Sequence, residues 1–158
     1  MLRFEYPPAK TGMNATSLKE ATALLDYFNG FHDGFIKRLS IVSKDQFINR
    51  DEQQCAGALD LEITFAHYNY QNGKPPHDQL VAASFEGVKD LAIEFSGNSY
   101  EWAIDILSVA ETERSREQGG VESCLKAVLV QKRLSEHREW IRHEDLTFTF
   151  RSCAFQER

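Results

Sequence analysis

Hydrophobic and polar positions divide the chain into one helical stretch followed by a long series of alternating ones. In "TSLKEATALLDYFNG", Leu18, Ala21, Leu24, Leu25 and Phe28 recur at helical spacing and share one face. Ser17 followed by Glu20 has capping-box spacing, in which a hydroxyl and a carboxylate can satisfy the orphan N–H groups of a helix start. Gly30 can supply a left-handed stop. The pattern predicts an amphipathic helix of about three turns.

From Phe31 onward the period falls to two. In "FIKRLSIVS", Phe35, Lys37, Leu39 and Ile41 alternate against Ile36, Arg38, Ser40 and Val42, which predicts a strand with one richly apolar face. "KDQFINRDEQQ" is polar and reads as a loop. "GALDLEITFAHY" is the most regular segment, with Leu59, Leu61, Ile63 and Phe65 on one side and Asp60, Glu62 and Thr64 on the other. One packed and one wet face is the habit of an antiparallel sheet. Asn69 to Gln79 combines Asn-Gly with Pro-Pro and predicts a long connection. "LVAASFEGVKDLAIEF" reads as two short strands or one bent strand, with Gly87 marking a turn or bulge. Next, Trp102, Ile104 and Ile106 oppose Ala103, Asp105 and Leu107, and "TERSREQGG" is a polar loop. Val121 to Lys132 admits helical or strand spacing; its β-branched residues and the preceding Gly-Gly favour a strand. In "DLTFTFRSCAF", Leu146, Phe148 and Phe150 share one face.

These elements sum to an α+β fold that is mainly β. An N-terminal amphipathic helix is followed by a twisted antiparallel meander sheet of six to eight strands, because strands succeed one another without helical crossovers. With 158 residues, no internal repeat and no linker, the expectation is a single globular domain over 1–158. Pro7 and Pro8 make residues 1–15 an extended N-terminal arm that can tie down as an edge segment.

Composition narrows the functional classes. A hydrophobic share of 42% with 27% charged residues is that of a chain that folds by itself. The formal net charge of −6 argues against nucleic acid as a partner, since phosphate backbones are bound through clustered Lys and Arg. The most basic segment holds Lys132, Arg133, Arg138 and Arg142, but Glu136, Glu139, Glu144 and Asp145 interrupt it. There is no signal-like apolar stretch near Met1 and no apolar run of the roughly 20 residues that span a bilayer, so the expected location is cytoplasmic, without a membrane partner. Cys55, Cys124 and Cys153 are widely spaced and read as reduced, mostly buried thiols.

Candidate chemistry centres on "FNGFHDGFIKRLSI". His32 and Asp33 lie between Gly30 and Gly34, and neighbours on a strand act together only if the backbone bends there. Their first role is to close the helix-to-strand turn by hydrogen bonds, and their second is as a catalytic or ligand pair. His77 and Asp78 form another such pair in the Pro-Pro connection, where a solvated loop is expected. His67 is in phase with the apolar face of its strand and reads as semi-buried with a local partner. His137 and His143 are six apart, which matches no zinc motif. Asp60 and Glu62 share a wet face, where solvated charge outweighs paired acid and base duty. No phosphate-loop, dinucleotide, nucleophile-elbow or H-E-x-x-H motif occurs, so neither metal nor cofactor is expected. Tyr68, Tyr70, Tyr100 and Trp102 gather near strand ends, and exposed Tyr and Trp are enriched at binding surfaces, which makes them the candidate binding residues.

The order "FHDGFIKRLSI", "LDLEITF", "SFEGVKDLAIEF" and "DLTFTF" resembles small bacterial β-rich proteins of uncharacterised or immunity-protein type, in which a Phe-His-Asp turn leads the first strand. The resemblance covers Phe31 to Phe95 and Leu146 to Phe150; the N-terminal helix and "QKRLSEHREWIRHE" depart from it. It implies a cytoplasmic module that binds another protein, as in blocking a toxin, and an acidic chain would suit a basic target such as a nuclease. The leading expectation is a non-catalytic protein-binding or inhibitory module. The alternatives are a small hydrolase or metal-dependent enzyme using His32 and Asp33, and a homo-oligomeric structural domain pairing through an edge strand or aromatic patch.

Overall fold

The computed structural model describes residues 13–54, 57–69, 77–94 and 102–158. Its elements in chain order are β1 (Met13–Ala15), α1 (Leu18–Tyr27), a 3-10 turn (Asn29–Phe31), β2 (Phe35–Ser43), β3 (Gln46–Asn49), β4 (Glu52–Gln54), β5 (Leu59–Asn69), β6 (His77–Ile93), β7 (Trp102–Ser115), β8 (Val121–Leu134), β9 (Trp140–Phe150) and β10 (Ser152–Glu157).

The helix forms where its pattern predicts. Ser17 caps it, its Oγ accepting from the Glu20 amide at 3.2 Å and donating to the Glu20 carboxylate at 3.1 Å. Ala21, Leu25 and Phe28 are buried, and Gly30 turns the chain at φ +58°.

All β-pairing is antiparallel, and one eight-stranded sheet carries the fold. β2, β5 and β6 run as one meander and β7, β8 and β9 as another. The long β6 joins them, pairing with β10 through Val81–Glu86 and with β9 through Lys89–Ile93. β1 pairs with the far side of β10 through Met13–Ala15. The sheet curls until β7 returns to the start of β2, where the Asp33 amide donates to the Ile104 carbonyl and the Ile104 amide to the Gly34 carbonyl, each at 2.9 Å. α1 packs against β1, β7 and the 3-10 turn.

Inside the curl lies an aromatic core. The Phe31 ring stacks between Phe65 (4.1 Å) and Phe28 (5.1 Å), while Phe85 meets Phe148, Phe150 and Phe155 edge-on. All seven rings are buried. Each such side chain contributes about 1.5–3 kcal/mol on burial, so this cluster is the main stabilising unit. Leu61, Ile63 and Phe65 point into it as their alternation predicts.

Several local expectations are corrected. "KDQFINRDEQQ" is no loop. Gln46–Asn49 and Glu52–Gln54 pair as a separate hairpin, turned by Asn49, whose Oδ1 accepts from the Asp51 amide at 2.9 Å and whose Nδ2 donates to Glu52 at 3.0 Å. It hides in the sequence because both faces are solvated and carry polar residues, with Phe47 82% exposed. A bulge between Ile36 and Arg38 breaks the alternation of β2: Ile36 and Leu39 pack on the core, whereas Phe35 and Ile41 are exposed. A second bulge at Asp105 buries Ile104 and Leu107 and turns Ile106 outward. The connection after β5 is shorter than expected, since Asn69 pairs with His77 and Tyr68 with Asp78 in a strand ladder. β6 is one bent strand with Gly87 at φ +64°, and Val121–Leu134 is a strand. No helix among the described residues is long and apolar enough to cross a membrane.

Candidate functional site

His32 and Asp33 sit at the seam where the sheet closes. Asn29, Gly30, Phe31 and Asp33 all adopt positive φ, between +52° and +61°. For a bulky L-residue such as Phe31 that conformation costs about 1–2 kcal/mol. The stacked core ring and the backbone bonds to Ile104 hold it there. Gly34 is required for a different reason: a Cβ there would lie 2.6 Å from the Ala66 carbonyl oxygen and 2.9 Å from that of Phe31.

The bulge at Asp105 turns this seam into a charged cluster. His32 Nδ1 donates to the Asp105 carbonyl at 2.8 Å, and Nε2 lies 3.5 Å from the Asp33 carboxylate. The Asp105 carboxylate receives Lys132 Nζ from β8 at 3.1 Å and Arg142 from β9. Burial works to raise its pKa, but the Lys132 and Arg142 hydrogen bonds and charges outweigh burial and hold it below 3.8. Three strands and the helix-to-strand turn are thus tied through one residue, the strands by its carboxylate and the turn by its carbonyl. The arrangement positions backbone; the His32 ring has its Nδ1 committed and is not among the groups lining the cleft described below.

A further bulge places Asp145 on β9. Its carboxylate, fully buried, takes the Arg133 guanidinium and His143 Nδ1–H at 2.7 Å, and His143 Nε2 lies 3.5 Å from Glu94. Arg114, also buried, spans from Glu122 (2.7 Å) to the Gly87 carbonyl and Thr149. The Arg114 hydrogen bond, with the Arg114 charge and the Arg151 contact, lowers the Glu122 pKa against the opposing effect of burial. Burial pushes the Cys153 thiol up to about 12, so it is inert as a nucleophile at neutral pH. Cys124 is likewise free, buried and raised by burial. Among the described residues, no group of three or more His, Cys, Asp or Glu side chains is placed to hold a metal ion.

The outer face of β2, β5 and β6 is built differently. Cross-strand register sets Phe35, Ala66 and Leu80 in one row. A methyl between two large side chains leaves a gap, and there a cleft of about 540 Å³ opens, lined by Asp33, Phe35, Lys37, Tyr68, Leu80 and Arg158, with His67 at its base. Phe35, Tyr68 and Leu80 are 47%, 40% and 40% exposed. Apolar groups ringed by charge are the anatomy of a binding surface.

The sequence candidates therefore separate. Asp33 and Tyr68 meet at this cleft, whereas His32 points to the seam. His67 is buried, not half-buried, its ring edge-on to Phe28 and Phe31. Asp60 pairs with Lys44 at 2.8 Å. Tyr70, Tyr100 and Cys55 lie outside the described residues; of Trp102, His77 and Asp78 only the strand positions are described. Phe35, Leu80 and Arg158 were not singled out by sequence, because nothing in the chain shows which residues flank Ala66. No family model, curated protein or solved structure matches the chain.

Proposed function

We propose that the protein is a non-catalytic protein-binding module, with inhibition of a partner in the manner of an immunity protein as its specific form. The grouping of Phe35, Tyr68 and Leu80 around one cleft carries this reading. Exposed apolar residues scattered singly need no explanation, but three converging on a concavity with Lys37, Asp33 and Arg158 at its rim make an anchor site. The engagement of His32 with Asp105 supports a binding role over a hydrolytic one, since its hydrogen bonds serve the closure of the sheet. Free, buried Cys124 and Cys153 fit a reducing cytoplasm.

The test compares baits in lysate of the native cell: wild type, Leu80→Arg in the cleft, and Ile141→Arg on the exposed end of β9. A partner retained by wild type and Ile141→Arg but lost from Leu80→Arg is the expected result. Capture that is indifferent to Leu80, with all three baits folded by circular dichroism, contradicts the assignment.

A further inference from the structure

The cleft does not end at Leu80. Register continues it over two further rows of the same outer face, Arg38–Thr64–Ala82–Gln156 and Ser40–Glu62–Ser84–Ala154, now four strands wide through β10. This part encloses about 430 Å³ and shares Arg158 with the first cleft. Thr64, Ala82, Ser84 and Ala154 keep its floor low, while Arg38, Gln156 and Arg158 are exposed beside it. At about 4.8 Å between strands, four strands span about 14 Å, which an extended chain crosses in about four or five residues.

The cations of this trough differ from those that brace the sheet. Lys44, Arg114, Lys132, Arg133, Arg142 and Arg151 each contact a carboxylate. Lys37, Arg38 and Arg158 have no carboxylate within ion-pair distance among the described residues; Lys37 lies over the Phe35 ring at 5.7 Å and Arg38 Nε donates to Ser40 at 3.1 Å. Two carboxylates are present, Asp33 beside His32 and Glu62 in the floor row. Among its side chains three cations thus face two carboxylates, on a chain of net charge −6. Net charge governs long-range encounter, but contact charges set register and partner choice.

We infer that the occupant of this trough is an extended peptide segment of another protein, with an apolar side chain seated between Phe35, Tyr68 and Leu80 and acidic side chains reaching Arg38 and Arg158. The inference rests on the binding-module reading above and adds the chemistry of the partner. Guanidinium groups favour planar carboxylates, which they hold by paired hydrogen bonds. The apolar end selects a peptide over a simple anion.

Fluorescence polarisation with labelled short peptides tests this on the full chain. The probes alternate Leu with Glu, Leu with Gln, or Leu with Lys, and a single-stranded oligonucleotide stands for polyanions in general. The Leu/Glu peptide is expected to bind at least about tenfold more tightly than the other probes, to weaken with added salt, and to shift the amide resonances of Ala66, Thr64, Ala82 and Ser84. The double variant R38E and R158E should reverse the preference toward Leu/Lys while remaining folded. Equal binding of Leu/Gln, tighter binding of Leu/Lys to wild type, tighter binding of the oligonucleotide, or no binding of any probe overturns the inference. Binding of Leu/Lys or Leu/Gln that is lost in Leu80→Arg would overturn only the acidic chemistry and leave the module reading intact, whereas binding indifferent to Leu80 would remove both.

Discussion

The seam at Phe31–Gly34 and the trough over β2, β5, β6 and β10 face different tasks, and their residues show it. At the seam, chemically suggestive groups are bound to one another: His32 to Asp105, and Asp105 to Lys132 and Arg142. In the trough, small and unremarkable residues form the floor, and three cations stand without carboxylate partners among the described residues. Reactive residue types here hold the fold closed, and the surface left open is defined by short side chains between long ones. A histidine beside an aspartate is thus a poorer guide to a site than an alanine flanked across the sheet by Phe and Leu.

This contrast predicts that substitutions at the seam cost stability and substitutions in the trough cost binding. The largest effect is expected for Phe31→Ala, which removes a fully buried ring stacked on Phe65 and Phe28. It should lower the unfolding free energy by about 3–5 kcal/mol in urea titration. Gly34→Ala comes next, at about 3 kcal/mol, because both atoms that its Cβ meets belong to backbone and cannot swing aside. His32→Ala should cost about 1–2 kcal/mol through the lost Asp105 bond, with capture of any partner unchanged. If His32→Ala were fully stable but lost binding or a catalytic activity, the seam would be a site after all.

The pH dependence follows from Asp105. Its folded-state pKa is depressed, so the unfolded chain binds the proton more readily, and the contribution to stability is present above about pH 4 and lost as pH falls through the folded value. Asp105→Asn should therefore lose less of its stability than wild type between about pH 5 and pH 2, measured by thermal melts. The smallest effect on folding is expected in the trough, where Leu80→Ser should stay within about 0.5 kcal/mol of wild type, since Leu80 is 40% exposed.

The sequence disclosed the seam better than the trough. Ser17, Glu20 and Gly30 act locally, so the helix and its stop could be read directly; the glycines around His32 and Asp33 marked a reversal, but backbone bonds close it and the His32 ring reaches across to β7. The mainly β fold was legible because Leu61, Ile63 and Phe65 alternate without interruption. The bulges were not legible. An extra residue at Asp105 or Asp145 shifts every later side chain to the other face, and strict alternation assumes that no such residue exists. The trough was hidden for a related reason. Ala66, Ala82 and Ala154 become neighbours of Phe35, Leu80 and Arg158 only through register between strands far apart in sequence, and taken singly each is just a wet position. Tyr68 drew notice because aromatic residues announce themselves; the cations that line the same cleft did not.

The proposed binding face is the outer surface of β2, β5 and β6. The most direct measurement places a photo-crosslinking phenylalanine analogue at Tyr68, at Phe47 on the separate hairpin, or at Trp140, all exposed positions, and irradiates cells expressing each variant. A discrete covalent adduct formed from position 68 and absent from positions 47 and 140 is the predicted result. Adducts from position 47 or 140 with none from 68 would contradict it.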